Sequence, residues 1–372
     1  MRVFAILSVC CACGTQGSAD HTWPPYTSLP ALASGDVDGD GFTDLFALSD
    51  TRTYEVLGGV DIGPHPAPIG SYSEAFDARG AARAAIVVTS SARDVLVTAR
   101  SRDDIGMLDI EVRRDVGLVK TSAFSIPFDG TEVWLSSGQG LVLIGAGGTV
   151  WLIDAADLQS SKPSPIEIPP PIGGWGRTKL AMAYALGADR FIVVSSDTAA
   201  FRARLPEDWS SFAWEPIRQG VAWLGQTAVD INRDGRPELV GLDAGAPPNL
   251  CSLELETQAV RCIRMTSNET YADVTILGGS FDALTRTDFL VVHSRPTGQA
   301  YDVFGDVRFG STTLTLAATT AGTPVFTQGT SPIYLIPIFE PERPTPWVVQ
   351  LDSSGLFGYC YRIVNGDVQS CP

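Results

Sequence analysis

The chain has 372 residues, with 42 acidic against 26 basic side chains and a net charge of −16. That acidity excludes nucleic acid and anionic membrane faces as partners, since both would repel it. Its 37 glycines, its 25 prolines and the lack of any useful helical period exclude a helical bundle and indicate many short strands and turns.

Residues 1–13 place one positive charge, Arg2, before an apolar run of about ten residues, the pattern of a secretory signal too short to span a membrane. Cys13 follows the small Ala12 and precedes a polar linker over 14–24. The segment resembles a bacterial lipoprotein signal, which implies cleavage before Cys13 and its lipidation, although Cys10 stands where such signals usually carry Leu. Cleavage before Cys10 or after Ala19 are the alternatives. Either way the expected location is outside the cytoplasm, with membrane contact only through the lipid. No other segment reaches the roughly 18 apolar residues of a membrane-spanning helix.

The next feature is Asp36-Val-Asp-Gly-Asp-Gly-Phe-Thr-Asp44, and a second segment, Asp230-Ile-Asn-Arg-Asp-Gly-Arg-Pro-Glu238, repeats its plan. Each has oxygen side chains at positions 1, 3, 5 and 9 and Gly at 6. A hard cation that takes six to eight oxygens matches this spacing, so Ca²⁺ is expected at two structural sites. The ligands would be Asp36, Asp38, Asp40 and Asp44 in the first loop, and Asp230, Asn232, Asp234 and Glu238 in the second. Phe42 and Arg236 at position 7 would each add a backbone carbonyl. An EF-hand would need helical flanks and a Glu at position 12, where Ala47 and Gly241 stand. The flanks are apolar runs of strand length, so these are loops entering strands.

Aligning the chain on position 9 produces a series. Segments beginning at Asp44, Asp94, Gly140, Arg190, Glu238, Asp288 and Trp347 are all short apolar strands, spaced 50, 46, 50, 48, 50 and 59 residues apart. A period near 50 indicates an array of four-stranded units, the blades of a propeller. The expected fold is therefore all-β, a seven-bladed β-propeller of four-stranded antiparallel blades over 25–372. The blades would run roughly over 25–74, 75–127, 128–171, 172–218, 219–267, 268–319 and 320–372. His21–Leu32 is expected to run as a strand beside the last blade and close the ring.

Four cysteines lie beyond the leader. Cys360 and Cys371 frame Asn365-Gly366, a strong hairpin signal that sets them face to face within disulfide reach. Cys251 and Cys262 repeat that spacing, and two disulfides agree with an oxidising compartment. A four-Cys zinc site would need a closer pairing of ligands.

On the two acidic loops and the 50-residue period, the chain resembles the FG-GAP/VCBS repeat family, the integrin-α-type propellers. A third loop, with Ser280, Asp282, Leu284 and Asp288, keeps part of that pattern, and the remaining blades lack the loop acids. The resemblance implies the propeller and structural Ca²⁺, and it implies no particular ligand.

Catalytic constellations are scarce. The three histidines, His21, His65 and His293, are scattered, and Asp103-Asp104 and Glu340/Glu342 read as solvated turns. No catalytic residue is assigned. Trp209, Trp214 and Trp223 cluster in the sequence as core or as a stacking surface. The expected role is a monomeric binding or adhesion scaffold at the cell envelope, meeting an unknown protein or glycan at one rim. A glycan-binding lectin, or a polysaccharide lyase or hydrolase, are the alternatives.

Overall fold

The structure is a computed structural model. It describes residues 31–39, 44–48, 53–56, 80–89, 94–114, 119–130, 132–160, 162–206, 209, 211–220, 222–264, 272–279, 287–295, 298–309, 314–315, 318–321, 334–340, 343–352, 355–364 and 367–370. Among these residues every regular element is a β-strand, apart from one 3-10 turn at Asp157–Gln159.

The strands form successive antiparallel sheets in chain order. The first holds β1 (Ala31–Gly35), β2 (Asp44–Leu48) and β3 (Thr53–Val56). Next come β4 (Ala81–Val88), β5 (Val95–Arg102), β6 (Met107–Arg114) and β7 (Val119–Pro127), then β8 (Val133–Gly138), β9 (Leu141–Ala146), β10 (Thr149–Asp154) and β11 (Ile166–Ile168). Two more four-stranded sheets are β12 (Thr178–Leu186), β13 (Asp189–Ser196), β14 (Ala199–Arg204) and β15 (Glu215–Gln219), and β16 (Trp223–Val229), β17 (Glu238–Asp243), β18 (Asn249–Leu253) and β19 (Val260–Arg264). A further sheet joins β20 (Ala272–Gly279), β21 (Thr287–Arg295) and β22 (Gly298–Phe309), with β23 (Leu314–Thr315) and β24 (Ala318–Ala321) both paired to β22. The last is β25 (Tyr334–Glu340), β26 (Arg343–Asp352), β27 (Gly355–Val364) and β28 (Asp367–Ser370).

The recurring apolar segments of the sequence fall on β2, β5, β9, β13, β17, β21 and β26, each the second strand of its sheet. The physical reason is burial on both faces. Side chains alternate sides along a strand, so a strand covered on both sides must be apolar without interruption. All six residues of β9 are buried. Leu141 and Leu143 pack with Ala181, Ala183, Ile192 and Val194 of the following sheet. Val142 and Ile144 pack the other way, with Val97, Leu108 and Ile110 of the preceding one. The same division separates Val193 from Ile192 and Val194 in β13, and Leu239 from Val240 and Leu242 in β17. Each fully buried aliphatic side chain contributes about 1.5–3 kcal/mol. Outer strands β7, β11 and β15 mix exposed and buried positions, and β19 has only exposed and half-buried ones.

First strands also meet. β1 lies against β4, β4 against β8, β8 against β12, β12 against β16 and β16 against β20, while β25 lies against β1. Sheets stacked face to face, with their first strands adjacent, are the blades of a β-propeller. Of the expected strand at His21–Leu32, the described end belongs to β1, which lies against β25 of the last sheet but pairs within the first. Ala31 and Leu32 pair with Leu48 and Ala47 in the first sheet, while the last sheet is completed by its own β28. A local hairpin partner wins because it satisfies β1 without a long-range crossing. Residues 21–30 lie outside the described residues.

Two glycines show how tightly a sheet packs against its own tryptophan. A Cβ on Gly145 would stand 2.0 Å from the Trp134 ring, and one on Gly241 would stand 2.0 Å from the Trp223 ring. Each indole lies flat across the neighbouring strand, which needs the bare backbone there. Gly145→Val or Gly241→Val should therefore destabilise the protein by about 1–3 kcal/mol through overpacking. Urea denaturation checks this, and unchanged midpoints would contradict it.

Candidate metal centre

The loop between β1 and β2 and the loop between β16 and β17 are the same kind of turn, from first to second strand of a sheet. Each ends on its position-9 acid, which opens the second strand as Asp44 or Glu238. These acids are almost fully buried, at 0% and 2% exposure. Each holds its loop by one bond of identical placement. The Val37 N–H donates to Asp44 Oδ2 at 2.9 Å, and the Ile231 N–H donates to Glu238 Oε2 at 2.8 Å. Position 2 thus joins position 9 in both loops. Val37 and Ile231 are themselves buried and plug the loop into the core. Position 4 is left-handed in both, at Gly39 (φ 81°) and Arg233 (φ 61°).

In the first loop the carboxylates of Asp36, Asp38 and Asp44 come together, with one oxygen of each within 4.8 Å of the others. The Gly39 N–H donates to Asp36 Oδ1 at 2.7 Å. Asp40 and Phe42 lie outside the described residues. Asp94, which precedes β5 in the next sheet, lies near Asp36 and outside that group of three. Its carboxyl is raised above the ordinary value by burial and then by the Asp36 charge. Three convergent carboxylates at the head of a buried strand suit a hard divalent cation that takes oxygen ligands.

The second loop is tied by its own N–H groups. Asp230 accepts from Asp234 and Gly235 at 3.1 and 2.8 Å, Asn232 Oδ1 accepts from the Asp234 N–H at 2.9 Å, and Asp234 Oδ1 accepts from the Arg236 N–H at 2.9 Å. Gly235 has φ 83°, the left-handed turn that position 6 requires. The Arg236 side chain reaches Glu256 at 2.8 Å, in the turn from β18 to β19. In an antiparallel sheet that turn shares an end with the loop, so the ion pair braces the loop from outside. Among the described residues, only the first loop brings three carboxylates within 4.8 Å.

The Glu238 carboxyl is pushed from its ordinary 4.5 up to about 7. Burial is the main cause, the charges of Asp230, Asp234 and Glu254 add to it, and the Ile231 N–H opposes it. A cation bound in this loop would reverse that preference and favour the ionised carboxylate.

Cys251 and Cys262 face each other across β18 and β19 and form a disulfide, with Cα atoms 4.0 Å apart. Cys360 lies in β27, whose register with β28 pairs Tyr361 with Ser370; Cys371 and Cys13 lie outside the described residues. The tryptophans divide differently from their order in the chain. Trp209 and Trp214 join Trp175, Phe201 and Phe212 in one cluster, whereas Trp223 belongs to the next, over Cys251 and Leu253. The reason is that Trp223 opens β16 and so faces a different sheet boundary. The position-2 residues escaped the sequence reading, although an apolar residue between two oxygen-bearing side chains, present in both loops, was the available signal.

No protein-family model matches the chain, and no curated protein matches it. Solved structures do. A Dos1 propeller superposes with a TM-score of 0.50 at 11% identity, over 94% of this chain and 85% of that one. The WD40 domain of Toxoplasma gondii coronin gives a TM-score of 0.46 at 12% identity, over 74% and 67%. The first likeness shows the β-propeller fold alone.

Two measurements probe the loops. Asp44→Ala strands the buried Val37 N–H and should cost about 1–3 kcal/mol, while Asp44→Asn keeps an acceptor and should cost less. Equal losses in denaturant melts would contradict this account of the bond. The Glu238 carboxyl, raised in the folded state, contributes stability that is complete below pH 4.5 and is lost as pH rises through about 7. In chelator-treated protein, wild type should lose stability across that window relative to Glu238→Gln. Parallel pH curves for the two proteins would contradict it.

Proposed function

We propose that the chain is a seven-bladed, calcium-stabilised propeller of the FG-GAP/VCBS type that works outside the cytoplasm as a binding scaffold. The observation that carries this reading is the equivalence of the two loops. Unrelated acidic turns have no reason to share a position-2 to position-9 bond, buried anchors at both positions and the same place in the sheet. The first loop's gathered carboxylates support a cation there, held by Asp36, Asp38 and Asp44. When bound, the metal would neutralise acids that otherwise repel one another. Its role would be structural.

One sheet for each recurring segment supports a count of seven blades, and the contact of β1 with β25 supports ring closure. The Cys251–Cys262 disulfide supports an oxidising compartment. The leader, with Cys13 as lipid acceptor, supports an envelope location. A rigid ring with variable connections at its rims is suited to presenting a surface to a protein or glycan.

Extracellular calcium modules bind at roughly 10⁻⁴–10⁻³ M. Millimolar Ca²⁺ should then add on the order of 1 kcal/mol per site, and raise the melting temperature by about 2–4 °C. The Asp36→Asn/Asp38→Asn double variant should lose the first site's share. A calorimetric scan indifferent to Ca²⁺ and to chelator would sink the metal reading.

A further inference from the structure

We infer that the cleft lined by Asp129, Gly130, Glu132, Gly147, Gly148, Gly176 and Arg177 is a binding site for one neutral sugar unit. The cleft is open to solvent, with a volume of about 250 Å³. Three segments distant in sequence build it: the connection from β7 to β8, the turn from β9 to β10, and the connection from β11 to β12. All three lie at one end of the β8–β11 sheet, opposite the β8–β9 turn. The acidic loops are turns of that β8–β9 kind, so cleft and loops occupy opposite ends of their sheets.

The walls are fixed before any ligand arrives. The Gly147 N–H donates to the Glu132 carbonyl at 3.0 Å. Thr178 Oγ1 donates to the Gly147 carbonyl at 3.3 Å and accepts from Trp134 Nε1 at 3.2 Å. A Cβ on Gly130 would stand 2.6 Å from the Gly147 Cα, so the two backbones touch only because both residues are glycine. Trp175, 3% exposed and set edge-on to Trp214, anchors the segment that delivers Gly176 and Arg177. Such preorganisation reduces the ordering cost of binding.

The lining selects the ligand class. Among the described residues no apolar side chain lines the cleft, which disfavours a hydrophobic guest. Two acids, Asp129 and Glu132, and one base, Arg177, line the cleft, and Lys179 beside it brings the local charge to zero. Glu132 Oε1 accepts from Arg177 at 2.8 Å and from Lys179 at 2.5 Å, so an anionic guest would have to break an existing ion pair. Asp129 is exposed and makes no hydrogen bond among the described residues, and the Arg177 side chain is 60% exposed. An acceptor and a donor that are both accessible, above a floor of glycine backbone, call for groups that donate and accept at once. Hydroxyls do this. The volume admits one ring rather than an extended segment. A peptide would present alternating side chains over several residues and need a longer groove.

This inference rests on the propeller fold and not on bound calcium. The test is isothermal titration calorimetry on the full chain with glucose, galactose, mannose and N-acetylglucosamine, each at millimolar concentration. At least one should bind. Asp129→Ala should weaken binding at least ~10-fold, the scale of one lost hydrogen bond to a charged group. Gly148→Leu is the second variant. Gly148 lines the cleft, has open space around its Cβ position and no left-handed backbone, so a side chain is accommodated there without strain. It should abolish binding and leave the melting temperature unchanged. Absence of binding by every sugar, or binding that survives both substitutions, would overturn the assignment. The calcium response of the melting temperature is a separate readout, so either reading can fail without the other.

Discussion

Burial of the second strands on both faces, as in β5, β9, β13 and β17, is the constraint that organises this molecule. β9 cannot sit between two other sheets unless both of its faces are apolar, and neither face is covered by its own sheet. Leu141 and Leu143 need the sheet that follows, and Val142 and Ile144 need the one before. Among the described residues, no sheet from β4 to β19 completes its core alone, so these sheets are cooperative around the stack and their outer strands remain free to vary. The sheets become a platform, and chemistry falls to their ends.

At one end, the acidic loops show the electrical cost of this plan. Asp44 and Glu238 begin buried strands, where a carboxylate is expensive unless it is bonded. Each is given one backbone N–H, from Val37 or Ile231, and Glu238 is still held near neutrality by burial and by its acidic neighbours. A divalent cation would offset that cost, and the proposed calcium role rests on this. The brace from Arg236 to Glu256, near the Cys251–Cys262 disulfide, shows the second loop secured through the turn that follows β18.

Much of the fold was legible in the sequence because the period near 50 residues follows from double-sided burial. Uninterrupted runs such as Leu141–Ile144 mark second strands directly. The loops were legible because their oxygens are close in sequence. Other features were hidden for the opposite reason. Asp94 comes near Asp36 of the first loop only through packing of adjacent sheets. The grouping of Trp175 with Trp214, and of Trp223 elsewhere, depends on which sheet boundary each ring faces. The glycine-floored cleft draws on Asp129, Gly147 and Arg177, which share no local motif.

Amide hydrogen exchange followed by mass spectrometry tests the central claim most directly. If each sheet depends on its neighbours, peptides covering β5, β9, β13 and β17 should exchange slowest and through a single common opening, with the outer strands exchanging earlier. A β9 or β17 that opened alone, while the sheets beside it stayed protected, would contradict the account.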